Sequence, residues 1–348
     1  MIKSKTPKII AFDRRKLFGD IMVSIPALYL TKRIYPSAKL ILITNARGKN
    51  LCKNFDFIDK IVELEAHSNY FGVIIEKIAP DILILGHRTA QNIDFAYQSK
   101  CPKIISWLHL KSMLLPKFCH PKYLYKGRRR EITACIDLIR AISPHRFDRI
   151  LFNKIFGDTR KISLQNLPIR ITPSPSNVAF VDRFIDADRG GGYKVIIGIH
   201  AFRGKNCFNF APSDWIALGM EIAQESSDIL VIFTNHKSSG YEFAPFESPN
   251  IAVFVNDDDL LNLAEIMKQF DLLLCADTGN AHLADNLGVR ILELIHAKNV
   301  HSWGCGAYGN ECEMIALPNA WERKYGRYKK IYFEKAKAWV GRLLYESR

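Results

Sequence analysis

No stretch of this 348-residue chain approaches the ~18–20 consecutive apolar residues that a bilayer-spanning helix needs. The N-terminus, MIKSKTPKIIAF, carries lysines, but it runs into a short strand-like segment. It lacks the apolar core and small-residue cleavage site of a secretory signal. Paired C-x-x-C cysteines are missing too. The eight cysteines (52, 101, 119, 135, 207, 275, 305 and 312) are scattered, several in apolar or helical contexts. That pattern reads as reduced thiols in a cytosolic protein. Cys305 and Cys312 with His301 match no zinc spacing, so no metal site is expected. There is no short-period repeat. A membrane-spanning protein, a disulfide scaffold and a solenoid are thereby set aside.

What the chain does have is length and apolar content. At 348 residues and 48% hydrophobic it can build two sizeable cores. Its net charge of +14 is unevenly spread. Residues 1–175 carry 31 Lys and Arg against 13 Asp and Glu, residues 176–322 carry 9 against 20, and residues 323–348 carry 9 against 2. A basic half suggests a polyanionic partner, nucleic acid or an anionic membrane. Nucleic acid is disfavoured, because no binding module or aromatic–basic face is found.

Hydrophobic periodicity predicts alternating strands and helices and hence a mostly parallel α/β sheet. In the first half strands are expected at Lys8–Phe12, Leu40–Thr44, Ile61–Leu64, 81–86 and Lys103–Trp107, with helices over Ile21–Arg33, 70–78 and Glu131–Ile142. Residues 160–177, with Pro168, Pro173 and Pro175, read as a linker. A second series follows, with strands at Val195–His200, Ile229–Thr234 and Ile251–Val255 and helices over Ser213–Gln224 and Asp257–Gln269. Lys329–Tyr345 reads as a basic terminal helix.

The most informative stretch is DLLLCADTGNAHLADNLGVRILEL, residues 271 to 294. It reads as strand, tight turn at Asp277-Thr278-Gly279, helix, stop at Gly288, and strand. A helix N-terminus at the C-terminal end of a strand is where α/β sheets hold phosphorylated ligands. Thr278 adds a hydroxyl donor, and Asn280 and His282 sit in the first turn. Asp277 would repel a phosphate, so its expected role is to accept from sugar hydroxyls. The alternative is a capping Asp and a core His. A second turn, Leu17-Phe18-Gly19-Asp20, falls between the first strand and the first helix. A carboxylate there suits a general base, and it equally suits a helix cap.

Together these two motifs resemble glycosyltransferase family 9, the bacterial heptosyltransferases of the lipopolysaccharide inner core. The resemblance rests on residues 12–40, with Pro26-Ala27-Leu28 and Tyr35-Pro36-Ser37-Ala38 following Asp20, and on the D-T-G-x-x-H-L-A match at Asp277 to Ala284. It implies a GT-B architecture, two Rossmann-like domains with the active site in the cleft between them. The expected domains are 1–172 for the acceptor, 173–328 for the nucleotide sugar, and a 329–348 helix packing back on the first. The implied activity is inverting, metal-independent transfer of heptose from ADP-heptose to lipopolysaccharide or lipooligosaccharide core, with Asp20 as base and no cofactor. Asp277, Thr278, Gly279, Asn280, His282 and His200 would bind the donor. Asn209 stands where the family usually has a lysine before a Pro, so Lys205 or Arg203 would meet the leaving diphosphate. The family's ribose-binding Glu is also missing, since Thr234-Asn235-His236-Lys237 stands in its place. These departures keep open another nucleotide sugar or a protein acceptor.

The resemblance also gives the charge a meaning. The basic half would face a phosphorylated lipid A core at the anionic inner-membrane surface, as a peripheral cytoplasmic protein. Lys16, Arg14, Arg15, Gly19, Arg128, Arg129 and Arg130 are the candidate acceptor contacts. Trp107 to Leu110 and Met113 to Leu115, with Lys111 and Lys117, form either a membrane-docking patch or core.

Overall fold

The computed structural model describes residues 6–122, 129–189, 192–201, 209–239, 241–257 and 259–347. The chain divides into two units, Met1–Ile169 and Arg170–Arg348. In the first, β1 (Ile9–Asp13), β2 (Lys39–Thr44), β3 (Lys60–Glu63), β4 (Ile82–Leu85), β5 (Lys103–Ser106) and β6 (Phe118–Cys119) form one sheet. Its order is β3-β2-β1-β4-β5-β6. In the second, β7 (Val195–His200), β8 (Ile229–His236), β9 (Ile251–Asn256), β10 (Leu272–Ala276), β11 (Arg290–His296) and β12 (Cys312–Leu317) form the other. That sheet runs β9-β8-β7-β10-β11-β12. The strand pairs of both sheets are parallel. Runs such as ILIL in β4 and LLLCA in β10 are buried at every residue, as interior parallel strands require. The chain is therefore α/β, with the same doubly wound order in each unit.

That order locates the ligand-binding crevices. The first strand of each unit lies mid-sheet. The chain winds outward from it in one direction, then returns and winds in the other. Crossovers leave opposite faces between β1 and β4, and again between β7 and β10. Ligands of open α/β sheets bind outside the carboxyl ends of the strands at these switch points.

Several elements differ from the sequence reading for local reasons. The helix expected over Ile21–Arg33 is two helices, Phe18–Met22 and Ile25–Ile34. Pro26 has no N–H to continue a helix from the preceding turn, but it fits the first turn of a new one. The helix expected over Asp257–Gln269 is Leu260–Lys268, because Asp259 caps it, accepting from Leu261 N at 2.8 Å. Part of the expected linker is helical, for Pro175 opens Pro175–Arg189. Asn177 anchors that helix by donating to Asn262 Oδ1 at 2.7 Å.

The terminal helix, Tyr325–Glu346, is a correction. The sequence reading packs this segment on the first domain. Its buried face (Tyr332, Phe333, Ala336, Trp339, Val340 and Leu343) instead lies in the core of the second unit with Trp215 and Leu292. These positions recur at helical spacing and form one apolar stripe. Tyr332 Oη donates to Leu292 O at 2.8 Å. The basic residues explain the choice of partner. Lys335 pairs with Glu313 at 2.9 Å, Lys337 with Glu221 at 2.6 Å and Arg342 with Glu311 at 2.7 Å. The acidic second unit thus attracts the basic tail.

Candidate functional site

In the first unit the chain leaves β1 at Asp13 and enters the helix Phe18–Met22, whose third residue is Asp20. The carboxylate is 13% exposed. Its Oδ2 accepts from Leu17 N at 3.3 Å, so it serves the helix start as well as facing outward. Its other oxygen is held by Arg14. The Arg14 Nη2 lies 2.9 Å from Asp20 Oδ1, and Nε donates to Asp20 O at 3.0 Å. Arg14 Nη1 donates to Gly86 O at 3.0 Å, just past β4, and Nη2 reaches Glu131 Oε1 at 3.4 Å. One guanidinium thus ties the base candidate to both strands flanking the switch point. Gly86 has to be glycine, since a Cβ there would lie 2.4 Å from Asp13 O.

Arg14 is 2% exposed and Arg15 fully buried, so neither is the surface acceptor contact the sequence suggested. Arg15 Nε donates to Asp13 Oδ1 at 2.5 Å, Nη1 donates to Glu65 O at 3.0 Å, and the guanidinium stacks 3.9 Å from the Phe71 ring. It braces the loop. Burial raises the Asp13 carboxyl above its ordinary value against the pull of Arg15. Lys16 is exposed and Gly19 half-buried, so both stay within reach of a ligand. Arg129 lies 3.5 Å from Asp137, and Arg130 precedes the helix Glu131–Ile142. Arg128 lies outside the described residues.

His87 was missed. It lies two residues past the end of β4, is buried, and donates its backbone N–H to Asp13 Oδ2 at 3.3 Å. Burial, then the charges of Arg15 and Lys16, push its imidazole down to about 4, so it is neutral near pH 7. The only signal in the sequence was its place just after a buried strand.

In the second unit β10 ends at Ala276, and Asp277 N continues the ladder to Leu294 O at 2.8 Å. Thr278 is the N-cap of the helix Gly279–Leu287, its Oγ1 accepting from Asn280 N at 3.3 Å. A hydroxyl that accepts in this way keeps its proton to donate. Asp277 Oδ2 accepts from Asn299 Nδ2 at 2.8 Å. Asn280 is buried, and the His282 ring lies 5.7 Å from that of Trp303. The helix ends at Gly288 with φ of 92°, a left-handed conformation that favours glycine. Arg170 donates to the carbonyls of Asp285 and Asn286 at its C-terminus, opposing the dipole that leaves its N-terminus positive. His200 ends β7, the neighbour of β10, and its Nδ1 lies 2.9 Å from Thr234 Oγ1. The turn and His200 therefore share the switch point of the second sheet. Arg203 and Lys205 lie outside the described residues. Asn209, where the family places lysine, is used structurally: it accepts from Trp215 Nε1 and donates to Ala201 O, both at 2.9 Å.

Beside this turn stands a second missed residue, Glu293, paired in register with Cys275. It is fully buried, and its Oε2 accepts from Cys305 N at 3.0 Å. Burial first, then neighbouring Asp277, push its carboxyl up to about 8. A lone acid inside the apolar run RILELIH was the available signal.

No family model matches the chain, and no curated protein matches it. Solved structures do. A family 9 glycosyltransferase from Veillonella parvula aligns over 96% of this chain and 97% of its own, at 14% identity and a TM-score of 0.73. The E. coli ADP-heptose LPS heptosyltransferase II aligns over 98% and 100%, at 13% identity and 0.69. The E. coli heptosyltransferase WaaC with ADP-2-deoxy-2-fluoro heptose aligns over 94% and 99%, at 12% identity and 0.58. At such identities the likeness is one of fold, and the fold is that of these glycosyltransferases.

Proposed function

We propose that the chain is an inverting glycosyltransferase that moves a sugar from a nucleoside diphosphate to an acceptor hydroxyl. The observation that carries this reading is the carboxylate of Asp20, held by Arg14 at 2.9 Å at the switch point of the first sheet. Asp20 takes the acceptor's proton as its oxygen attacks the anomeric carbon and the nucleoside diphosphate leaves from the opposite side. The Thr278–Gly279 helix start, in the second unit, meets the diphosphate with backbone N–H groups and a positive dipole end. Asp277 and His200 stand beside it for the sugar.

Heptose is the sugar we favour, ADP-heptose the donor and the phosphorylated inner core of lipopolysaccharide the acceptor. The similar folds of a structure described as an ADP-heptose LPS heptosyltransferase and of one described as holding an ADP-heptose analogue support this. Such an acceptor sits at an anionic inner-membrane surface, which suits the basic first half.

The test is sugar transfer from ADP-heptose, and from other nucleotide sugars, to a panel of truncated core lipids. Asp20→Asn lowers turnover by about 10²–10⁴-fold with donor affinity unchanged. Full activity in Asp20→Asn would remove the base. Transfer from a different nucleotide sugar alone would replace the donor and keep the reaction class.

A further inference from the structure

The connection from β5 to β6 is turned inside out relative to a normal surface loop. Leu110 is 85% and Leu114 91% exposed, and Leu108 and Met113 are each more than half exposed. Ser112, between Leu110 and Leu114, is buried, and its hydroxyl donates to His109 O at 2.9 Å. The backbone is firmly held while it presents these side chains. Arg88 donates to Leu108 O, and Lys117 Nζ donates to Ser99 O at 2.7 Å. Folding gains nothing from large apolar groups in water, so this clustering points to a partner.

Charge selects the partner. Between Ser99 and Lys122 the chain carries five lysines (100, 103, 111, 117 and 122) and no Asp or Glu, and Asp94 pairs with Lys111 at 2.6 Å. A second copy meeting this one through the same segment would set lysines against lysines, which like charges oppose. A surface that is anionic at its face and apolar beneath satisfies both features. The segment is also rooted beside the candidate base, for Arg14, the partner of Asp20, lies 5.2 Å from the Trp107 ring.

We propose that residues 107–115 dock the first unit on an anionic lipid bilayer, with Leu110 and Leu114 entering the headgroup–acyl boundary. The benefit to catalysis, presenting a lipid-borne hydroxyl near Asp20, rests on the glycosyltransferase reading; docking itself does not.

The test is co-sedimentation of the full chain with phosphatidylcholine vesicles containing about 30% phosphatidylglycerol, beside neutral vesicles. Wild type binds the anionic vesicles, more weakly at about 0.5 M salt and on neutral lipid. Leu110→Ser with Leu114→Ser, both exposed and so tolerated by the fold, lowers the partition coefficient at least about ten-fold. Ile155→Ser with Phe156→Ser, exposed elsewhere on this unit, leaves it unchanged. Equal binding by wild type and the Leu110/Leu114 variant overturns the proposal. So does a variant that loses self-association instead, which assigns the face to a second copy. Failure of wild type to bind anionic vesicles overturns it while leaving sugar transfer standing. Absence of transfer with vesicle binding intact removes the role of Asp20 and leaves the docking surface.

Discussion

Glu293→Gln isolates one buried carboxyl whose effect can be worked through in advance. In the folded chain Glu293 titrates at about 8, against 4.5 for an unperturbed glutamate. The shift is upward, so the folded state holds its proton after the unfolded state has released it. The associated stability is fully present below pH 4.5 and is lost as pH rises toward 8. At 1.36 kcal/mol per unit, the loss approaches about 5 kcal/mol once both states are ionised. Glutamine is neutral throughout and preserves an acceptor for Cys305 N. The variant and wild type are therefore similar near pH 4.5, and the variant becomes progressively more stable toward pH 8. The difference between the two proteins cancels other titrating groups, including His87, whose lowered value acts in the opposite direction: its stability is lost as pH falls from 6.5 toward 4. The assay is urea unfolding followed by tryptophan fluorescence at several pH values, since Trp215, Trp303, Trp321 and Trp339 all report on the second unit. A difference that stays flat with pH, or grows toward acid, would refute a protonated Glu293.

Two further variants probe the scaffold. Asp13→Asn leaves the buried Arg15 guanidinium without its counter-charge and destabilises the first unit by about 3–5 kcal/mol, read as a lower urea midpoint. An unchanged midpoint would mean that Arg15 finds another anion. Trp339→Ala opens a cavity beneath the terminal helix and costs the second unit about 3–5 kcal/mol, read by calorimetry. A loss confined to the first unit would contradict the assignment of that helix.

The residues themselves determined much of this protein. Apolar runs of four or five residues such as those of β4 and β10 suit interior parallel strands, and the period of the residues between strands suits helices, so the α/β class followed from local pattern. The Asp277-Thr278-Gly279 turn was legible for the same reason: strand end, cap and helix start are consecutive in the chain, and Thr278 does cap. Asp20 was legible as a residue at a strand-to-helix junction. Its ion pair with Arg14, six residues away, was not, because the guanidinium is aimed by its bond to Gly86 O, 72 residues along the chain. The two arginines after β1 read alike as surface cations; which carbonyls and carboxylates surround them decides that both turn inward. His87 and Glu293 owe their perturbed protonation to burial, which depends on the whole sheet and leaves little mark on neighbouring residues. The patch at 107–115 stood open between core and surface, since composition gives hydrophobicity but not direction. The terminal helix showed its stripe in the sequence, while its partner was fixed by the shape and charge of the unit that receives it. Periodicity and capping act between near neighbours and can be read from the sequence; burial, ion pairing and exposure are set by contacts distant in the chain, and only the folded structure decides them.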